Sequence, residues 1–143
     1  MNKLVLAWGL ILLTLTSAEA AVEQTYWPNG ATKRLTTIGP VSETIKTYYA
    51  NGQLAHVHTM REGTYVGTVK DFDAKGKLVT EEHYANGKLH GKNIYNAYSE
   101  YGELRTIIEE RYVHGVLRRK TELNARREIQ KEEKFFPNGE LDN

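Results

Sequence analysis

The stretch "YYANGQL" at residues 48–54 has a near copy, "HYANGKL", at residues 83–89. Such an echo in a chain of 143 residues calls first for a search for an internal period, because a repeat sets the whole architecture. Glycines supply the ruler. Gly30, Gly52, Gly76 and Gly102 follow one another at steps of 22, 24 and 26, and Ala125 in the degenerate "LNARRE" extends the series by 23. Gly39, Gly63, Gly87, Gly115 and Gly139 interleave with them at steps of 24, 24, 28 and 24. Fixed neighbours accompany both series. Tyr26, Tyr48, Phe72 and Tyr98 stand four positions before the first, where only Thr121 departs; Met60, Tyr84, Tyr112 and Phe136 stand three before the second. Two positions after the second series come Val41, Tyr65, Leu89, Leu117 and Leu141, and the first series has Leu54, Leu78 and Leu104 there.

Each half-period reads as a strand and a turn. Glycine lacks a Cβ and asparagine is at ease with positive φ, so Asn29-Gly30, Asn51-Gly52, Asn86-Gly87 and Asn138-Gly139 are hairpin signals. Lys75-Gly76, Tyr101-Gly102 and His114-Gly115 are weaker versions. The intervals between turns are rich in Tyr, Val, Ile, Thr and Phe and leave strands of roughly 5 to 9 residues, an ordinary length. Residues 116–134, "VLRRKTELNARREIQKEEK", hold many good helix formers, but their repeat offsets favour strand. The expectation is an all-β chain: an antiparallel meander of stacked β-hairpins in a single twisted sheet, about four to five repeats of roughly 24 residues. Gly52 and Gly87 lie three half-periods apart, through Gly63 and Gly76, which puts the two quoted turns on opposite edges.

The first twenty residues, MNKLVLAWGLILLTLTSAEA, stand apart. Lys3, the apolar run over residues 4–13 and the small-residue pattern Ala18-Glu19-Ala20 read as a signal-peptide helix cleaved between Ala20 and Ala21. The apolar run is too short for a membrane-spanning helix, which needs about 20 residues. The domains are then a signal peptide at 1–20 and one repeat domain at 21–143, located in the periplasm or secreted. Removing Lys3 and Glu19 takes one charge of each sign, so the balance stays at +1 and gives no reason to expect nucleic acid. The absence of cysteine excludes disulfides, thiolate metal sites, cysteine nucleophiles and a lipidated N-terminal cysteine.

The pattern Tyr84, Asn86, Gly87, Lys88, His90, Gly91 resembles the MORN repeat, in the bacterial variant found in the YwqK family of toxin–antitoxin antitoxins. Residues 25–141 accommodate four to five copies. Glu62-Gly63-Thr64-Tyr65-Val66-Gly67 keeps both glycines without the histidine, and His114-Gly115-Val116-Leu117-Arg118-Arg119 lacks the second glycine. The resemblance implies a repeat sheet that acts by binding, with a toxin as partner neutralised by occlusion. The export signal shifts that partner toward an envelope component and the role toward immunity or assembly.

No motif for catalysis appears: no Gly-x-Ser-x-Gly, Walker loop or His-Glu-x-x-His. Glu81-Glu82, Glu109-Glu110 and Glu132-Glu133 are neighbours on strands, so each pair points to opposite faces and cannot act as an acid/base dyad. His56 and His58 share a strand face but make only half of a tetrahedral shell, so neither a metal nor another cofactor is expected. Arg118, Arg119, Lys120, Arg126 and Arg127 form a candidate basic patch for a membrane or glycan surface, with Glu109, Glu110, Glu122 and Glu128 near enough in sequence to neutralise it. Tyr48, Phe72, Tyr98, Tyr84, Tyr112 and Phe136 are the candidate interaction aromatics. Nine tyrosines suit a sheet wet on both sides, and an uncovered face should carry an exposed apolar stripe. These features point to a non-enzymatic protein-binding scaffold; the alternatives are an envelope-surface binder or a self-associating array.

Overall fold

The computed structural model describes residues 21–142, so the expected signal peptide at 1–20 and the expected cleavage between Ala20 and Ala21 lie outside the described residues. Eleven strands follow in chain order: β1 (Ala21–Tyr26), β2 (Thr32–Ile38), β3 (Glu43–Tyr48), β4 (Leu54–Arg61), β5 (Thr64–Phe72), β6 (Leu78–Ala85), β7 (Lys88–Leu89), β8 (Gly91–Tyr98), β9 (Leu104–Val113), β10 (Val116–Asn124) and β11 (Ile129–Lys134). Each pairs antiparallel with the next in one open sheet; β7 and β8 are a single course broken at His90, and both pair with β6. The meander is therefore as expected, and residues 116–134 are two strands, β10 and β11, joined by a turn at 125–128. The helix formers there lose to the register that β9 imposes on β10, from Val113↔Val116 to Thr106↔Asn124.

Two kinds of turn alternate, except between β2 and β3, where Gly39 N–H donates to Ser42 O at 2.8 Å and no residue has positive φ. At one edge Trp27 N–H donates to Ala31 O at 2.7 Å and Gly30 N–H to Trp27 O at 2.9 Å. The same pair of bonds recurs at Tyr49/Gln53 with Gly52, Asp73/Lys77 with Gly76, Ser99/Glu103 with Gly102, and Asn124/Glu128 with Arg127. Only the last-named residue of each turn has positive φ, and a register shift sits beside each turn, at Tyr26, Tyr48, Phe72, Tyr98 and Leu123. This is a type I turn closed by a left-handed residue in a bulge. At the other edge Glu62-Gly63, Asn86-Gly87 and His114-Gly115 have positive φ at both residues, the two-residue type I′ turn that matches strand twist.

The fifth member of the first series is thus Arg127, at φ 64°, and not Ala125. Two residues of drift were invisible because no glycine marks the slot. With Arg127 as reference, the residue four positions earlier is Leu123, and the series regains an apolar side chain where Thr121 had broken it. Gly139 lies at the second edge, but its bonds, Phe136 N–H to Glu140 O and its own N–H to Phe136 O, make a turn of the first kind.

The second glycine of the motif also has a physical role. Gly67 and Gly91 stand four residues after Gly63 and Gly87, at φ 73° and 84°, where β5 and the β7–β8 course each carry two more residues than the strand opposite. Arg119 occupies that slot after Gly115, and the bulge there is one residue, between Leu117 and Arg119. A left-handed position is needed to take up the larger excess, and glycine supplies it without steric cost. Asn93, fully buried, completes the bulge beside β6: its Oδ1 accepts the His83 N–H at 2.7 Å in place of a backbone carbonyl.

Among the described residues no helix or second sheet covers either face, and the buried apolar side chains are Ile45, Val69, Ile107 and Leu123. At about 1.5–3 kcal/mol for each fully buried side chain, these do not hold the sheet unaided. Half-buried cross-strand pairs and bonds between successive turns share the task. Asn29 Nδ2 donates to Ala50 O at 2.8 Å, Asn51 Nδ2 to Ala74 O at 2.7 Å and Tyr49 OH to Phe72 O at 2.9 Å, each one repeat away. At the opposite edge Gly87 N–H reaches Tyr65 O at 3.2 Å and Gly115 N–H reaches Leu89 O at 2.8 Å.

Candidate functional site

Alternation along β6 sends Glu81 and Glu82 to opposite faces, and the partners of each define those faces. Glu82 receives the Tyr84 hydroxyl on Oε2 and the Tyr95 hydroxyl on Oε1, both at 2.9 Å. The motif repeats on β9, where the Tyr112 hydroxyl donates to Glu110 Oε2 at 2.9 Å and Lys120 Nζ lies 3.2 Å from Oε1. Ring contacts extend the strip past Tyr84: Tyr65 lies 5.2 Å away between centroids, His58 is 5.1 Å from Tyr65, and His56 is 4.7 Å from His58. Aromatic rings at such separations add about 0.5–1.5 kcal/mol per pair beyond their burial. The result is a tyrosine–glutamate strip running from β4 to β10.

Its electrostatics follow from burial. Burial, and then the bond to Glu82, push the Tyr84 hydroxyl up to about 12; burial and Glu110 do the same for Tyr112, also to about 12. Tyr95 is raised further by burial and by Glu82, with Glu110 adding to it across the sheet. These phenols remain donors at any physiological pH. His58 is held below the ordinary imidazole range by burial and by the nearby charges of His56 and Arg34, while His56 Nδ1 meets Asp71 Oδ1. The strip thus offers flat rings rimmed by anionic oxygen, with Lys120 and the His56–Asp71 pair at its two ends.

The opposite face is charged. Glu81 meets Lys70 at 3.0 Å and His83 at 3.7 Å, while Glu109 meets Lys92 at 2.7 Å and Arg127 at 3.0 Å. Lys92, Arg111, Arg119 and Lys134 stand directly opposite one another on β8, β9, β10 and β11. Like charges so placed repel, and all four are exposed. Glu132 tempers one end, 3.7 Å from Arg119 and 4.0 Å from Lys134.

The residues singled out from sequence are distributed over three places. Tyr84 and Tyr112 belong to the strip. Tyr48, Phe72 and Tyr98 close the hairpins at the first edge, opposite Leu54, Leu78 and Leu104, and the Tyr98 hydroxyl caps Leu78 O at 2.8 Å. Phe136 lies apart in the last turn, 46% exposed. The basic residues separate too: Lys120 turns to Glu110 in the strip, Arg127 to Glu109, and of the five only Arg119 joins the cross-strand row. Arg118 is half-buried and Arg126 sits in the exposed turn after β10.

Glu82, Tyr95 and Glu110 were missed as site residues, and so was Tyr65, although it stands on the second glycine offset. Tyr95 falls on neither glycine offset; its signal is cross-strand register, Thr80↔Tyr95, which depends on the bulge at Gly91. In place of an exposed apolar stripe the open face carries half-buried tyrosines laid onto carboxylates. The most exposed large hydrophobics, Tyr101 at 80%, Val41 at 66% and Ile129 at 62%, lie at the margins.

A protein-family model described as MORN repeat variant matches residues 65–86, which hold β5 after its first residue, β6 and the part of the strip from Tyr65 to Tyr84. Repeats of this kind act in general as protein- or membrane-binding modules and are not known as enzymes. No curated protein matches the chain.

Proposed function

We propose that this chain is a non-enzymatic binding module that holds a protein partner on its tyrosine–glutamate face. The observation that carries the proposal is the strip itself: Tyr65, Tyr84, Tyr95 and Tyr112 with Glu82 and Glu110, on a face that no other described element covers. The rings of Tyr84, Tyr95 and Tyr112, pinned by their hydroxyls, lose little side-chain entropy on binding, and tyrosine is enriched among the residues that dominate interfaces. Resemblance to YwqK-type antitoxins supports a toxin as partner, occluded by the sheet. The signal-like pattern of residues 1–20 supports a place in the periplasm or outside the cell, where an immunity or assembly role toward an envelope component fits equally well.

The test is recovery of a stoichiometric partner from the periplasm by the wild-type chain and its loss with the double variant Tyr84→Ala/Tyr112→Ala. A strain lacking the chain should gain sensitivity to the partner toxin. No stoichiometric partner, together with unchanged sensitivity, would overturn the proposal.

The cross-strand row Lys92, Arg111, Arg119 and Lys134 favours a second reading, attachment to an anionic lipid or glycan surface through the opposite face. Sedimentation with anionic vesicles or cell wall should then weaken steeply as salt shortens the screening length to about 8 Å at physiological strength. Binding that ignores salt, or no binding at all, would exclude it.

A further inference from the structure

An open sheet has two edge strands, each with a row of backbone N–H and C=O groups that invites another strand. The two edges of this sheet are treated differently. β11 (Ile129–Lys134) is guarded: Lys131, Glu132, Glu133 and Lys134 charge four of its six positions, and the end of the chain folds back so that Asp142 N–H donates to Lys134 O at 2.8 Å. β1 (Ala21–Tyr26) has one charge, Glu23, and neither proline nor lysine. Among the described residues it pairs only with β2. Val22 and Tyr26 on its length are 39% and 46% exposed.

We propose that two copies of this chain pair antiparallel through β1, about a two-fold axis at Gln24. Such an axis, perpendicular to the sheet, sets residues of the same face opposite one another. Val22, Gln24 and Tyr26 share a face, since Gln24 Nε2 donates to Thr32 Oγ1 at 2.8 Å and Tyr26 pairs with Thr32. Centring on Gln24 sets Val22 opposite Tyr26 twice, so that the exposed apolar side chains of the edge cover each other, and Glu23 opposite Thr25 twice. Centring on Glu23 would set two carboxylates face to face, which is destabilising. Centring on Thr25 would set Val22 opposite Pro28, which has no N–H to donate. Of the three registers centred on the middle of β1, the one at Gln24 is thus complementary to itself. A closed dimer leaves only the guarded β11 edges outside, so assembly stops at two.

The chain contains no cysteine, so single substitutions report the register directly. In Gln24→Cys the two thiols would face each other across a pair of strands at a Cα separation of about 4.5–5.5 Å, within disulfide reach. In Glu23→Cys the displacement of one residue each way puts the two Cα atoms roughly 8 Å apart, beyond it. On the chain purified as the cell makes it, sedimentation velocity should show a dimer, and oxidation with diamide should cross-link Gln24→Cys far faster than Glu23→Cys. Gln24→Lys, with two ammonium groups at the axis, should weaken the dimer tenfold or more, while Thr25→Lys, opposite Glu23, should tighten it; far-ultraviolet circular dichroism checks that each variant keeps its sheet. A monomer at all concentrations, equal cross-linking of the two cysteine variants, a dimer indifferent to Gln24→Lys, or open-ended polymers would each overturn the proposal.

Discussion

At Asn86-Gly87 both residues lie at positive φ, 52° and 73°, whereas at Asn51-Gly52 only the glycine does, at 84°. The asparagines therefore do different work. Asn86 contributes its backbone, as one of the few non-glycine residues that tolerate the left-handed region. Asn51 contributes its side chain: Oδ1 accepts from Gln53 N–H at 3.0 Å, closing its own turn, and Nδ2 donates to Ala74 O at 2.7 Å in the next repeat. One edge is thus held by side chains that bridge turns, and the other by backbone geometry passing into a bulge. Identical letters recur because two unrelated requirements happen to be met by the same residue pair.

The largest effect expected from breaking this difference lies where the type I′ edge passes into its bulge. Asn93→Ala removes the acceptor of a buried His83 N–H, and an orphaned buried donor costs about 1–3 kcal/mol. Denaturant unfolding should show a loss within that range, lowered in part because the variant also removes Asn93 Nδ2, a buried donor without a partner. A loss below a few tenths would mean that the bulge closes without Asn93.

Next come the two glycines. Gly87→Ala and Gly52→Ala both force alanine into the left-handed region, at about 1–2 kcal/mol. A Cβ at residue 87 would also press on Thr64 Cβ at 3.3 Å, the stiff root of a β-branched side chain, whereas one at residue 52 meets nothing within 4 Å. Gly87→Ala should accordingly lower the melting temperature more than Gly52→Ala. Equal shifts would remove the steric distinction between the edges.

The asparagines give a sharper contrast. Asn86→Gly keeps the positive φ and should change stability by no more than about 0.5 kcal/mol, since glycine is at home there. Asn51→Gly loses two hydrogen bonds from a partly solvated turn and should cost about 1 kcal/mol. If the two variants unfold alike, the bridging role of Asn51 is wrong.

Much of this architecture was legible in the sequence because glycine and asparagine mark left-handed positions and mark them periodically. The meander, the two interleaved edges and the strand character of residues 116–134 all follow from offsets alone. What was illegible depends on register. The bulges beside Gly67 and Gly91 add two residues to one strand of a pair, so every cross-strand neighbour beyond them shifts. The shift beside Gly91 brings Tyr95 onto Glu82, and the registers of the last four strands, with smaller shifts of their own at Ala97/Tyr98, Leu117/Arg119 and Glu122/Leu123, align Lys92, Arg111, Arg119 and Lys134. Offsets within one strand predicted that Glu81 and Glu82 part company; they carried no information on which strand's tyrosine arrives.

The smallest effect concerns the turn that lost its marker. Arg127 sits at φ 64° in the slot that Gly30, Gly52, Gly76 and Gly102 fill elsewhere, and its N–H still donates to Asn124 O at 2.9 Å. An arginine held there costs about 1 kcal/mol relative to glycine. In return its guanidinium reaches Glu109 at 3.0 Å, an ion pair whose arginine is 62% exposed, and exposed pairs are worth about 0.2–1 kcal/mol. Arg127→Gly should therefore stabilise the chain by a few tenths of a kcal/mol, and by more at high salt, where the lost pair is already screened. Thermal unfolding at low and high salt measures both parts. Destabilisation at both would show that Arg127 holds β10 and β11 through Glu109 more firmly than its strained backbone pulls them apart.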